Sequence, residues 1–114
     1  MLALLNNLRA TVGKNALALN SNMTKLAQAH SDYQSAIKTM THDDTKPLGD
    51  RVTACGIRWG GVAENVAYNS KTVPQVIDAW TNSPGHYHNM IGDYEIVGFG
   101  ETNLYWTQDF ARYL

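Results

Sequence analysis

The stretch Ala79-Trp80-Thr81-Asn82-Ser83-Pro84-Gly85-His86-Tyr87-His88-Asn89-Met90 is where the pattern of the chain changes most abruptly. An amphipathic helix runs into it, with Val73, Val76, Ile77 and Trp80 at helical spacing. Thr72 is placed to cap that helix, and Pro74 fits its first turn, where an absent N–H leaves no bond unmade. Pro84 and Gly85 then break the backbone, and two histidines follow. This predicts a rigid element ending in a tight turn that presents side chains to a cleft. His86 and His88 share a face only if the segment is extended.

Outward from this stretch the elements alternate in kind. Leu2, Leu5 and Leu8, with Leu4 beside them, mark one face of a first helix, with Arg9 outside it and Gly13 placed to end it. Leu17 and Leu19 alternate over a short extended connection. Met23, Leu26, His30, Tyr33, Ile37 and Met40 predict a second helix, capped by Ser21 or Asn22. His30 lies on that stripe and reads as a core histidine hydrogen-bonded to a neighbour. A polar, turn-rich segment from Thr41 to Gly49 carries His42 and the pair Asp43-Asp44, which reads as solvated. Asp50 to Cys55 predicts one or two helical turns closed by Gly56.

Val62 to Tyr68 predicts a strand that includes Glu64 and Asn65, and Tyr94–Glu101 and Leu104–Phe110 predict two more, joined by a hairpin at Thr102-Asn103. Gly98 and Gly100 lie two apart, on one face, where another backbone can approach. Trp106 and Phe110 supply core volume. Interleaved helices and strands predict an α+β fold with helices covering a small, mainly antiparallel sheet.

The length of 114 residues fits a single domain over residues 1–114, and a composition of 44% hydrophobic and 17% charged residues is that of a globular chain. A net charge of -1 carries no footprint for nucleic acid, and no apolar run reaches the roughly 20 residues of a membrane span. Met1 to Leu5 is too short for a signal sequence, so the chain is expected to be cytosolic or to lack a leader in this numbering. Cys55 is the only cysteine, which excludes an internal disulfide. Its apolar neighbours Val52 and Ile57 favour burial and a monomer, and nothing local activates it as a nucleophile.

Four histidines are present: His30, His42, His86 and His88. His42, Glu64 and His86 all fall at element edges beside turn residues, and as a His-Glu-His set they would suit zinc. A serine-hydrolase set can be assembled from Ser83, His86 and Glu64, but it lacks the Gly-x-Ser-x-Gly elbow, and Ser83 precedes Pro84, where serine commonly ends a helix. Calcium at Asp43-Asp44 lacks further oxygen ligands. No phosphate-binding glycine loop is present.

Ala63-Glu64-Asn65-Val66-Ala67, Ala79-Trp80-Thr81-Asn82-Ser83-Pro84-Gly85-His86, Asn89-Met90-Ile91, Val97-Gly98-Phe99-Gly100 and Tyr105-Trp106-Thr107-Gln108-Asp109-Phe110 occur in that order. Together with Leu5-Asn6, Arg9, Ala29-His30-Ser31 and Thr41-His42 they resemble the CAP superfamily of cysteine-rich secretory, antigen 5 and pathogenesis-related class 1 proteins. The likeness is to its cysteine-poor bacterial and fungal forms and covers essentially the whole chain. The resemblance implies a three-layer α-β-α sandwich and a cleft of two histidines and two acids. Residue by residue, these are His42, Glu64 and His86, with Ser83 standing where the second acid falls.

Loss of that carboxylate implies weak divalent-cation binding, through His42 and His86 with Glu64 as a further ligand. His88 falls at the rim. Asn65 reads as a structural amide that holds a neighbouring loop. The resemblance further implies a secreted, non-enzymatic binding module with no required cofactor. Its partners would be a lipid or sterol, or a small polar ligand, in defence, antimicrobial or host-interaction roles. A hydrolase using His42, Glu64 and His86 is the alternative.

Overall fold

A computed structural model describes all residues from Met1 to Leu114. The elements are α1 (Leu2–Thr11), β1 (Ala18–Leu19), α2 (Ser21–Ile37), α3 (Leu48–Ala54), β2 (Trp59–Tyr68), α4 (Val73–Thr81), α5 (Pro84–Met90), β3 (Ile96–Thr102) and β4 (Tyr105–Tyr113). The strands form one sheet in the order β1-β3-β4-β2. The β2–β4 and β3–β4 pairs are antiparallel, and the short β1 runs parallel to β3. The fold is the expected α+β sandwich, with helices on both faces of a mainly antiparallel sheet.

Strand residues alternate between faces, so the register assigns each side chain to a layer. Ala67, Trp106, Phe110 and Val97 join Leu5, Leu17, Val76, Ile77, Trp80 and Met90 in one core beneath α1, α4 and α5. On the opposite face Ile96 and Ala111 pack with Met23, Leu26, Val52 and Ile57 of α2, α3 and the loop after it. The second layer lies very close to the sheet. A Cβ added at Gly98 would collide with the Met23 and Thr24 backbone, and one at Gly100 with that of Ala27 and Gln28. The two glycines are therefore what lets α2 lie on β3.

Local signals account for most boundaries. Thr72 Oγ1 accepts from the Gln75 amide, and Pro74 sits in the first turn of α4. Trp80 is 1% exposed, and its indole N–H donates to the Val66 carbonyl at 3.0 Å, which ties α4 to β2.

The structure corrects several expectations. Asn20, not Ser21 or Asn22, caps α2, accepting from the Asn22 and Met23 amides at 3.0 Å. The buried stripe of α2 ends earlier than the apolar pattern: Ile37 and Met40 are exposed, and Ser31 and Gln34 are buried in their place. The hairpin turns through Asn103 and Leu104, both at positive φ, one residue later than expected. Arg9, expected outside the helix face, is only 2% exposed, four residues and one turn from the buried Leu5. Cys55 is half-buried and free. Residues 84–90, expected as a turn, form the short helix α5, so His86 and His88 point to different sides of it.

Candidate functional site

β2 is an edge strand, and the site is built across its open side. Glu64 faces the α2 and α3 layer, whereas Asn65, its neighbour, faces α5. From the first layer comes His42, whose Nδ1 lies 3.1 Å from Glu64 Oε1. From the second comes His86, whose Nδ1 lies 2.8 Å from Ser83 Oγ. Ser83 precedes α5 but gives the helix no side-chain cap, so its hydroxyl is directed to the imidazole instead. The two halves are joined by amides. Asn65 Nδ2 donates to the His86 carbonyl at 3.1 Å, and Asn89 Nδ2 donates to Asn65 Oδ1 at 2.9 Å. All four anticipated residues thus lie at this edge, as two contacting pairs, and Asn65 holds the loop as expected.

Glu64 is 6% exposed and is the centre of a larger buried network. Arg51 Nη1 donates to its Oε2 at 3.2 Å, and His30 Nε2 lies 3.4 Å from its Oε1. His30 is fully buried. Its Nδ1 faces Asp44 Oδ2 and its Nε2 the Thr41 carbonyl, both at 2.7 Å. Both partners are acceptors, so the ring is held at both nitrogens. Arg51 also donates from Nε to the Lys46 carbonyl and so closes the loop that carries His42. Burial alone would raise the proton affinity of Glu64, but His42, Asp109, His30 and Arg51 outweigh it and hold the carboxyl below its ordinary range.

Asp109 lies directly across from Glu64 in the β2–β4 register and is wholly buried. No donor reaches either of its oxygens. Burial, and then the Glu64 charge, raise its pKa well above the ordinary carboxylate range. Protonated, Asp109 becomes the donor, and Glu64 is its acceptor.

The two histidines of the edge are biased in opposite directions. The hydrogen bond to Glu64 raises the pKa of His42, against the effect of burial. Burial, followed by the nearby His42 charge, lowers that of His86. Each uses only Nδ1 within the protein, which leaves Nε2 of both for a ligand. The His42 side chain is 60% exposed.

This geometry decides between the anticipated chemistries. Glu64 is bonded to His42 and not to His86, so the Ser83–His86–Glu64 triad is not assembled. No three His, Cys, Asp or Glu side chains are arranged to hold a metal ion. The Glu64 oxygens already meet His42, His30 and Arg51, and the Arg51 charge opposes a divalent ion there. Asp44 is not the solvated loop residue expected: its side chain is 12% exposed and bound to His30.

Sequence reasoning missed Asp44, Arg51 and Asp109 as members of the network. One signal was available. Thr107 and Asp109 are two apart on a strand that carries Trp106 and Phe110 at the other parity, so they share the opposite face, which is buried when helices cover both sides of the sheet.

Comparison with known proteins adds the following. The family model described as "CAP: Cysteine-rich secretory protein family" matches residues 2–110. The chain is 29% identical over 115 residues to an uncharacterized membrane protein, YlbC, of Bacillus subtilis, covering 98% of this chain and 33% of that protein. Its structure superimposes with a TM-score of 0.92 on an extracellular protein containing an SCP domain from Bacillus anthracis, at 25% identity, over 97% of this chain and 38% of that one. An outer surface protein from Borrelia burgdorferi gives 0.89 at 20% identity, over 98% of this chain and 89% of that one, a likeness of fold alone. The chain therefore spans about a third of the length of the first two proteins.

Proposed function

The chain belongs to the cysteine-rich secretory protein (CAP) family, and from that premise we propose that it is an exported, non-enzymatic binding module. Its ligand site is the β2 edge, where His42 and His86 offer their Nε2 atoms to a small polar ligand or a divalent cation. Glu64 and Ser83 orient the two rings. The observation that carries this reading is the engagement of Glu64 by His42, His30 and Arg51, with Asp109 beneath it. A carboxylate so occupied is a support, not a free base or a metal ligand. A structural neighbour described as an extracellular protein supports export; no helix of this chain is long and apolar enough to cross a membrane. A lipid or sterol would take a different surface, the depression of about 300 Å³ where Met1, Val73, Phe99 and Trp106 lie beside Gln28 and Glu101.

Calorimetric titration with zinc, comparing the wild type with His42→Ala/His86→Ala, tests the site. Binding in the wild type and its loss in the variant is expected; equal heats in both reject the site. Affinity should strengthen as pH rises through the His42 titration, because the imidazole must release its proton to bind metal.

A hydrolase is the second reading, and one observation favours it. Imidazoles biased toward opposite protonation states at one edge are what acid–base chemistry needs. A screen of peptide, ester and glycan substrates separates the two readings. Turnover that disappears in the double variant supports hydrolysis here, and turnover that survives places it elsewhere.

A further inference from the structure

His88 leaves the β2 edge on the other side of α5 and borders a different part of the molecule. There it lines a depression of about 330 Å³ with Lys14, Gly92, Asp93, Tyr94 and Arg112. This depression adjoins a cavity of about 410 Å³ lined by Arg9, Lys14, Asn15, Asp93 and Tyr94. The two share Lys14, Gly92, Asp93 and Tyr94. Their volumes fall within the usual range for a small-ligand site.

The charged wall of the larger cavity is built from the interior. Gly13 turns the chain at φ 73° after α1, so that the segment carrying Lys14 and Asn15 folds back over Arg9. Arg9 Nε donates to the Asn15 carbonyl at 2.8 Å. Its Nη1 donates to the carbonyls of Met90 and Gly92 at 2.9 and 2.8 Å. These three bonds clamp the end of α1 to the end of α5.

No carboxylate pairs with the guanidinium, and Nη2 makes no hydrogen bond within the protein. Nor is Nη2 among the buried polar atoms left without a partner, so it reaches solvent, although Arg9 is 2% exposed. The only opening that Arg9 lines is this cavity. A largely buried guanidinium at a cavity wall, with one nitrogen uncommitted, is a preorganised anion donor, because most of its desolvation has already occurred on folding.

Two further donors lie beside it with no bond in the protein. The Tyr94 hydroxyl has no hydrogen-bond partner and is not enclosed, while its ring packs at a tilt against Phe110, centroids 5.5 Å apart. The Lys14 ammonium is likewise unengaged at the cavity rim. Arg112 adds a third cation at the adjoining depression. Asp93 is the one carboxylate facing the group; it lies 3.8 Å from Arg112 Nη1 and is 88% exposed.

We propose that the Arg9–Lys14–Tyr94 cavity is a binding site for a small oxyanion, of the carboxylate or phosphate type. Arg9 Nη2 and the Tyr94 hydroxyl bind its oxygens, Lys14 supplies charge at the mouth, and Asp93 opposes entry. The site is separate from the His42–His86 edge and stands whether or not that edge binds a ligand.

Because Arg9 also holds the fold together, the test spares it. Inorganic phosphate is titrated into the whole chain and followed by calorimetry and by amide NMR shifts. The variants are Lys14→Ala/Tyr94→Phe, which keeps the ring packed against Phe110, Asp93→Asn, and His42→Ala/His86→Ala. The wild type should bind phosphate, with shifts at residues 13–15 and 92–94. Lys14→Ala/Tyr94→Phe should weaken it about tenfold, the loss expected for charge-assisted donors. Asp93→Asn should tighten binding about threefold by removing the opposing charge, and the histidine variant should leave it unchanged.

A second arm replaces phosphate with phosphatidylglycerol vesicles, against phosphatidylcholine vesicles. Capture that depends on Lys14 and Tyr94 identifies a lipid headgroup as the oxyanion's source, and phosphate binding without capture identifies a free anion. No phosphate binding by the wild type, no effect of Lys14→Ala/Tyr94→Phe, or loss in the histidine variant would each overturn the proposal.

Discussion

The two faces of the sheet are held by opposite kinds of interaction. Toward α1, α4 and α5 the face is apolar: Trp80, Met90, Val97, Trp106 and Phe110 fill it, and the polar groups within it are few. Toward α2 and α3 the sheet buries Glu64, Thr107 and Asp109 against His30, Ser31, Gln34 and Arg51. Thr107 Oγ1 meets Ser31 Oγ at 2.8 Å and Gln34 Nε2 at 3.2 Å, so this network extends from the His42 loop to the middle of the sheet. An apolar face is stabilised in proportion to the area it removes from water, and it tolerates changes of shape. A buried polar face is stabilising only while every member is satisfied, and it fixes orientation. His42 stands where the second kind of packing reaches the open edge of β2, and His86 reaches the same edge from α5, on the apolar side.

The largest expected effect comes from breaking the closest approach on the polar side. Gly98→Ala should cost about 4 kcal/mol or more, or abolish folding, because the new methyl collides with the α2 backbone, which cannot move without leaving β3. Circular dichroism and urea denaturation measure this directly.

Next comes a matched pair, one residue from each face. Trp80→Ala and Glu64→Ala should each cost about 3–5 kcal/mol in neutral solution, the first as a cavity and the second by leaving Arg51 and His30 without their carboxylate. Their pH dependence should differ. The Glu64 pKa is lowered by folding, so its contribution is present above the unfolded value of 4.5 and is lost as pH falls through the folded value. The Glu64→Ala cost should therefore shrink in acid, and the Trp80→Ala cost should not. Denaturation of both variants across pH checks the comparison, and parallel curves would break it.

Asp109 sharpens the same contrast with the reverse sign. Its pKa is raised by folding, so stability is lost as pH rises from the unfolded value of 3.8 through the folded one. Asp109→Asn keeps a donor for Glu64 and has no proton to lose. It should gain on the order of 1 kcal/mol at neutral pH and converge with the wild type in strong acid. His42→Ala should change stability least, by less than about 1 kcal/mol, since its own side chain is 60% exposed.

The same division accounts for what could be read in advance. The apolar layer follows helical and strand periods directly, as in Val76, Ile77 and Trp80, because burial there is the only constraint. Gly98 and Gly100 also stood out, since two glycines on one strand face remove the side chains that would keep a second backbone away. The polar layer hides its logic. His30 was legible as a satisfied core histidine, but its partner Asp44 was not, because the bond joins α2 to an irregular loop whose path no local pattern specifies. The pattern puts Arg51 in a short helix with no face assigned to it, and Arg9 on the outer side of α1. In both cases a long side chain reaches inward to carbonyls supplied by other segments, which periodicity does not register. The α5 helix was missed because Pro84 reads equally as a break or as a first helical position.

The central claim is that Glu64 is committed inward while His42 and His86 face outward with free Nε2 atoms. Imidazole ¹⁵N NMR tests it most directly, following all four histidines through a pH titration and then a zinc titration. His42 should hold its proton to higher pH than His86, and zinc should shift the Nε2 signals of these two together while His30 stays unmoved. A reversed order of titration, or zinc shifts at neither ring, would contradict the account.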